Sequence, residues 1–116
     1  MPYFILKSAD EKPAIVAIET PIFKIGRVSG CDLILNHPAV SRLHARVRMD
    51  GTDAFLIDSM SRNGTAVNNV RVHGEQRLFD GDVITICNMH MEFYQQLPVG
   101  LENPDRVPSA ANQQKR

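Results

Sequence analysis

Four short stretches of this chain hold the residue types that bind or transfer charged groups: IGR at 25–27, SRLH at 41–44, SRNGT at 61–65 and VNN at 67–69. Arg27, Arg42 and Arg62 supply guanidinium forks, planar donors that pair bidentately with carboxylates and phosphates. Ser41 adds a short neutral donor where another bulky cation does not fit. Asn63 and Asn68 each offer a donor and an acceptor, the complement of a peptide amide. Gly64 allows the chain positive φ directly after Asn63. Gathered around one point, Arg27, Ser41, Arg42 and Arg62 match a phosphate monoester, with its three strong acceptor oxygens and charge of about −1.5 to −2 at neutral pH.

The residue types leave two other readings open. Ser41, His44 and Asp58 are the components of a nucleophile–base–acid set. Each of these residues is also an ordinary loop side chain: Asn63–Gly64 is a turn signal, and a serine such as Ser41 commonly bonds its own backbone. Against catalysis, no GxSxG elbow is present. Residues three apart on an extended segment also project to opposite sides. A strand-end imidazole at His44 that bonds a neighbouring loop carbonyl would hold the GR segment against SRLH.

The elements that must carry these loops are short strands. YFILKS, AIVAIE, IFKIG, CDLIL, HARVRM, AFLID, TAVN, VRVHG, QRLF, VITIC and MEFYQQ follow one another. They recur about every 8 to 12 residues with Gly, Pro, Asn or Asp between them, the rhythm of a β-sandwich or barrel. DGTD between HARVRM and AFLID contains the Asp–Gly pair of a hairpin. No window sustains the i, i+3, i+4, i+7 pattern of an amphipathic helix. Alternation predicts a core that includes Phe4, Phe23, Ile25, Leu33, Val47, Phe55, Ile57, Val83, Ile84, Ile86 and Phe93. The predicted fold is all-β, a sandwich or a barrel of short strands. Loops cluster at the two ends of such sheets, so the four stretches can converge.

A chain of 116 residues accommodates one domain, and 43% hydrophobic content is enough for a core. The apolar runs are too short for a membrane helix, which needs about 20 residues. Zero formal net charge gives no bulk attraction to nucleic acid or anionic lipid. The charge is uneven, however: Lys24, Arg27, Arg42, Arg46 and Arg48 stand against Asp32 alone between residues 24 and 48. The four histidines lack metal-ligand spacing, and no metal or cofactor is predicted. Cys31 and Cys87 read as free thiols of a reducing compartment. After Gln96 the proline-rich LPVGLENPDRVPSAANQQKR reads as a flexible tail or linker, so the predicted domain is 1–96 and the tail 97–116. This arrangement predicts the N-terminal module of a larger protein.

FKIGR, SRLHARV, SMSRNGTAVN and DGDVITI, in that order, resemble the forkhead-associated (FHA) domain family over about residues 3 to 95. Single GR or NG pairs are weak signals, whereas the ordered set at this spacing is specific. The resemblance implies an all-β, FHA-like sandwich of about 11 strands in two twisted sheets, with recognition loops at one end, that recognises phosphothreonine peptides and mediates protein–protein interaction. It implies that Arg27 holds the phosphate, Ser41 donates to a phosphate oxygen, and Asn63 bonds the peptide main chain. Gly26, His44 and Gly64 would shape the loops. Arg42, where the family varies, would touch phosphate. Arg62 stands where threonine is common and would reach the phosphate or an acidic peptide residue. Asn68 would join the phosphopeptide-binding set or buttress its loops. The implied partner is a phosphothreonine protein or peptide, not nucleic acid or a membrane, and homodimers are compatible with it. A phosphate-independent scaffold or dimerisation domain is the competing expectation. For a eukaryotic source the resemblance implies an intracellular, nuclear role in the DNA-damage response or cell cycle. Bacteria use the same fold.

Overall fold

A computed structural model describes residues 2–8 and 11–96; the predicted tail, 97–116, lies outside the described residues. Eleven strands follow in order: β1 (Tyr3–Ser8), β2 (Glu11–Ala17), β3 (Ile22–Gly26), β4 (Leu33–Ile34), β5 (Ala45–Asp50), β6 (Asp53–Asp58), β7 (Ala66–Val67), β8 (Val70–Arg71), β9 (Glu75–Leu78), β10 (Val83–Ile86) and β11 (Met89–Tyr94). None of the described residues is helical. The strands form a six-stranded sheet, β2-β1-β11-β10-β7-β8, and a five-stranded sheet, β4-β3-β5-β6-β9. Among the described strands, only β3 and β4 pair in parallel.

Alternation places one face of most strands inward, as period-two packing requires, while both residues of β8 are exposed. Phe4, Ile84, Ile86, Met91 and Phe93 of one sheet meet Phe23, Ile25, Val47, Leu56 and Leu78 of the other, all buried in one cluster. Phe4 sits at its centre, 6.0 Å from the Phe23 ring and 5.9 Å from that of Phe93. Edge-to-face and tilted pairs at this spacing add to what burial alone contributes.

Three predicted core residues face the other way. Phe55 and Ile57 are half-buried on the outer face of β6, and Ala54 and Leu56 fill the core. The AFLI run is apolar on both faces, so alternation cannot choose between them. The register decides: Val47 faces Leu56 and Arg48 faces Phe55. The Arg48 guanidinium then lies 4.6 Å above the Phe55 ring, and this cation–π contact covers the aromatic face. Val83 likewise turns outward opposite Glu92, leaving Ile84 and Ile86 to the core.

Turn chemistry fixes the hairpins. Gly51 has φ of 65° at the first central position between β5 and β6, the position where a two-residue hairpin turn favours glycine. Asn68 and Asn69 join β7 to β8 with φ of 51° and 69°, the double left-handed geometry of a type I′ turn. Asparagine tolerates this geometry better than any other residue except glycine.

Candidate functional site

Strand register brings distant loops to one rim. Ile25 at the end of β3 pairs with Ala45 at the start of β5, and Ala45 pairs with Asp58 at the end of β6. Two further bonds continue the ladder beyond the strands: His44 N–H donates to Ile25 O at 2.8 Å, and Ser59 N–H donates to His44 O at 3.0 Å. Gly26–Arg27, Ser41–His44 and Ser61–Gly64 therefore emerge side by side.

Between these loops lies a cleft of about 310 Å³ lined by Arg27, Pro38, Ala39, Val40, Ser41, Arg42 and Arg62. Arg27 is locked in place. Its amide donates to Ser41 O at 3.1 Å and to Arg42 O at 3.0 Å, and its Nε–H donates to Val40 O at 2.9 Å. Both terminal guanidinium nitrogens remain without partners among the described residues. The Ser41 hydroxyl oxygen accepts the Arg62 N–H at 3.0 Å, so its own proton is free to be donated. Asn63 Nδ2–H donates to Ala39 O at 2.7 Å, which leaves the side-chain carbonyl and the second amide hydrogen available. The Arg42 and Arg62 side chains are exposed. Among the described residues, no carboxylate pairs with Arg27, Arg42 or Arg62. The result is a preorganised set of donors with uncompensated positive charge.

Buried groups hold this set together. His44 is fully buried; its Nδ1 accepts the Ser41 N–H at 3.0 Å, and its Nε2 bonds Gly64 O at 2.9 Å. That pairing assigns the proton to Nε2, which donates to the carbonyl. The ring bonds a neighbouring loop carbonyl, but it joins the second loop to the third rather than the GR segment to SRLH as the sequence suggested. It has no nitrogen left to serve as a base for the Ser41 hydroxyl, which removes the geometry of a catalytic pair. Gly26 is required by close approach: a Cβ there would overlap the Arg42 carbonyl oxygen. Gly64 adopts φ of 84°.

A third brace escaped the sequence reading. Asp58 Oδ1 accepts the Ser61 hydroxyl at 2.6 Å and the Thr65 hydroxyl at 2.7 Å, and Oδ2 accepts the Ser61 N–H at 3.1 Å. Ser61 Oγ in turn accepts the Gly64 N–H at 2.9 Å. Burial pushes the Asp58 carboxyl up, but the bonds from Ser61 and Thr65 outweigh it and hold the group below its ordinary value. Asp58 followed by Ser61 at i+3 is the local pattern by which a short polar side chain caps a turn, and that was the available signal.

Asn68 does not reach the cleft. It occupies the first central position of the β7–β8 turn. Its Nδ2–H donates to Asp82 at 2.9 Å, and its Oδ1 accepts the Val83 N–H at 2.9 Å. Both ends of the amide secure the start of β10, and Asn68 does not line the cleft. Cys31 and Cys87 are free thiols. Among the described residues no cluster of His, Cys, Asp or Glu could hold a metal.

The FHA domain family model matches residues 23–87, more than half of the chain, including every loop just described. The chain belongs to the FHA domain family. The transcriptional regulatory protein EmbR of Mycobacterium bovis is 37% identical over 70 residues, covering 60% of this chain and 18% of that protein. The structure of Mycobacterium tuberculosis EmbR in complex with a low-affinity phosphopeptide has a TM-score of 0.74 at 29% identity, covering 81% of this chain and 24% of that one. The yeast Dun1 FHA domain, in complex with a doubly phosphorylated (pT) peptide, has a TM-score of 0.71 at 29% identity, covering 94% and 85%. This chain thus spans less than a fifth of the EmbR relative but nearly a whole solved FHA domain.

Proposed function

We propose that this FHA domain binds phosphothreonine peptides non-catalytically at the cleft lined by Arg27, Ser41, Arg42 and Arg62. One observation carries the reading: three guanidinium groups and a free hydroxyl proton surround a single 310 Å³ cleft with no carboxylate against them. Arg27 would grip the phosphate with both terminal nitrogens, and Ser41 would donate to a second oxygen. Arg42 and Arg62 would close over the remaining charge. Asn63, tied to Ala39, would present its free carbonyl and amide hydrogen to the peptide backbone. Because the protein already holds these donors, little ordering entropy is lost on binding.

Residues 1–96 are the binding unit in this reading, and the domain serves a longer protein as a phosphorylation-dependent tether. The reading requires a compartment where kinases act, hence an intracellular one. Relatives in mycobacteria and yeast make the nuclear, DNA-damage and cell-cycle assignments properties of a source, not of this site. Among the described residues no helix is long and apolar enough to cross a membrane.

Calorimetric titration of a degenerate phosphothreonine peptide pool and its unphosphorylated counterpart tests the reading. Saturable binding of the phosphorylated pool alone is expected, and equal binding of both pools would end it. Light scattering at two protein concentrations in the same experiment separates phosphate-independent self-association.

A further inference from the structure

The strands that carry the recognition loops have a second end. β5 is six residues long, so its far end lies about 20 Å from the rim at about 3.4 Å per residue. There the start of β1, the β5–β6 turn, the β9–β10 turn and the end of β11 come together, because Tyr3 pairs with Tyr94 and Ala54 with both Met49 and Leu78. They frame a cleft of about 520 Å³ with Pro2, Met49, Gly51, Thr52, Asp80 and Gln95 in its walls. Gln95 ties the two sheets together across it. Its backbone N–H donates to Asp80 Oδ1 at 2.7 Å, and its Nε2–H donates to Thr52 O at 2.6 Å. One oxygen thus fixes the Asp80 carboxylate, and among the described residues no cation pairs with it. Phe79, the preceding residue, is 55% exposed, with the Arg77 guanidinium over its ring.

We propose that this cleft seats an arginine or lysine side chain of a partner protein, a contact that does not rest on the phosphothreonine reading. Such a side chain has an apolar stem and a charged head. Met49 and Pro2 give the stem an apolar wall. Asp80 gives the head its anion, and the Thr52 carbonyl keeps a second lone pair for a further N–H. A divalent metal does not fit this donor set, since among the described residues no cluster of His, Cys, Asp or Glu could hold one. The exposed Phe79 ring extends the contact surface past the carboxylate, as aromatic side chains do at protein interfaces. That extension favours a protein over a free amino acid. Charge also separates the two ends: the rim arginines repel a basic segment, and Asp80 attracts it. An Asp80 that served only to cap the Gln95 amide would not distinguish a charged side chain from a neutral one. A domain built this way joins two partners, or two parts of one, from opposite ends of its sheets.

Backbone amide shifts of the full ¹⁵N-labelled chain separate these roles. The probes are unphosphorylated degenerate peptide pools with a fixed central arginine, a fixed lysine, or citrulline, which keeps the shape of arginine without its charge. The arginine and lysine pools are expected to shift the Gly51, Thr52 and Gln95 amides saturably and to leave those of Arg42 and Asn63 in place. The arginine pool should bind about two- to fivefold more tightly than the citrulline pool, the range of an exposed charge pair. Asp80→Asn, which retains an acceptor for the Gln95 amide, should abolish that difference, with thermal unfolding verifying the fold. High salt should shrink it in the wild type, a readout that needs no variant. Equal binding of arginine and citrulline pools, a difference that survives Asp80→Asn, or shifts centred on the rim would overturn the proposal. So would two results without any peptide. Shifts of the cleft amides on neutralising Arg106, Lys115 and Arg116 would give the cleft to the chain's own tail, and shifts on dilution would give it to a second copy.

Discussion

Two groups of arginines on this small domain have opposite fates. On the outer face of the five-stranded sheet, Arg48 pairs with Glu75 at 2.8 Å and lies over Phe55. Arg77 pairs with Asp53 at 2.8 Å and lies over Phe79, 4.8 Å from its centroid. At the rim, Arg27 is anchored by carbonyl oxygens alone, and Arg42 and Arg62 have no acidic neighbour among the described residues. A carboxylate partner satisfies a guanidinium and removes its capacity to bind an anion. A carbonyl anchor fixes its position while leaving its charge and outer donors in place. The difference between a satisfied arginine and an available one lies in its partner, which composition does not show.

The sharpest way to break this contrast is substitution on both sides of it. Arg27→Ala should cost about 10- to 150-fold in phosphopeptide affinity, the worth of one charge-assisted interaction of about 1.5–3 kcal/mol. Arg48→Ala should change the same affinity by less than about twofold in the same calorimetric titration. Comparable losses from both would erase the distinction.

Next in size is the buried brace beneath the rim. Asp58→Ala leaves the Ser61 and Thr65 hydroxyls without their shared acceptor and should cost about 1.5–3 kcal/mol of stability by urea unfolding. Phosphopeptide affinity should fall as well, because Ser61 no longer holds the Gly64 amide in place. The same carboxyl sets a pH dependence. Its folded pKa is held below the ordinary value, so its stabilisation is complete above about pH 4 and is lost as pH falls through the folded value. Thermal unfolding of the wild type and Asp58→Asn from neutral pH downward should show a gap that narrows only below about pH 4. The smallest effect belongs to the exposed pairs: Glu75→Gln should cost at most about 1 kcal/mol, and less at high salt.

Much of this contrast was legible in the sequence, though not where the contrast originates. Turn residues at regular intervals mark all eleven strands, even the two-residue β4, β7 and β8, because Gly, Asn and Asp act through local backbone preferences. The motif residues of the rim are likewise legible one by one. Their convergence is not, because it depends on β3 pairing with β5 across a long segment that also holds β4, a contact no local spacing encodes. Inward and outward assignment failed on β6 for a related reason: with four apolar residues in a row, only the register against Arg48 decides which face Phe55 takes. Asp58 was visible as a carboxylate, entered only as the third member of a catalytic set the sequence argues against, and was missed as a brace, since its partners lie on the loop that folds back over it. Asn68 showed its chemistry but not its direction. A turn residue in the left-handed region points where the hairpin sends it, here toward Asp82 and Val83.

The most direct measurement is an NMR titration of the ¹⁵N-labelled domain with a phosphothreonine peptide and its unphosphorylated twin, following backbone amides and arginine Nε–H signals together. The account predicts that the Arg42, Arg62 and Asn63 amides and the Arg27 Nε–H move with the phosphorylated peptide only, while the Arg48 and Arg77 Nε–H signals stay in place. Shifts of the same size with both peptides, or shifts centred on Arg48 and Arg77, would contradict it.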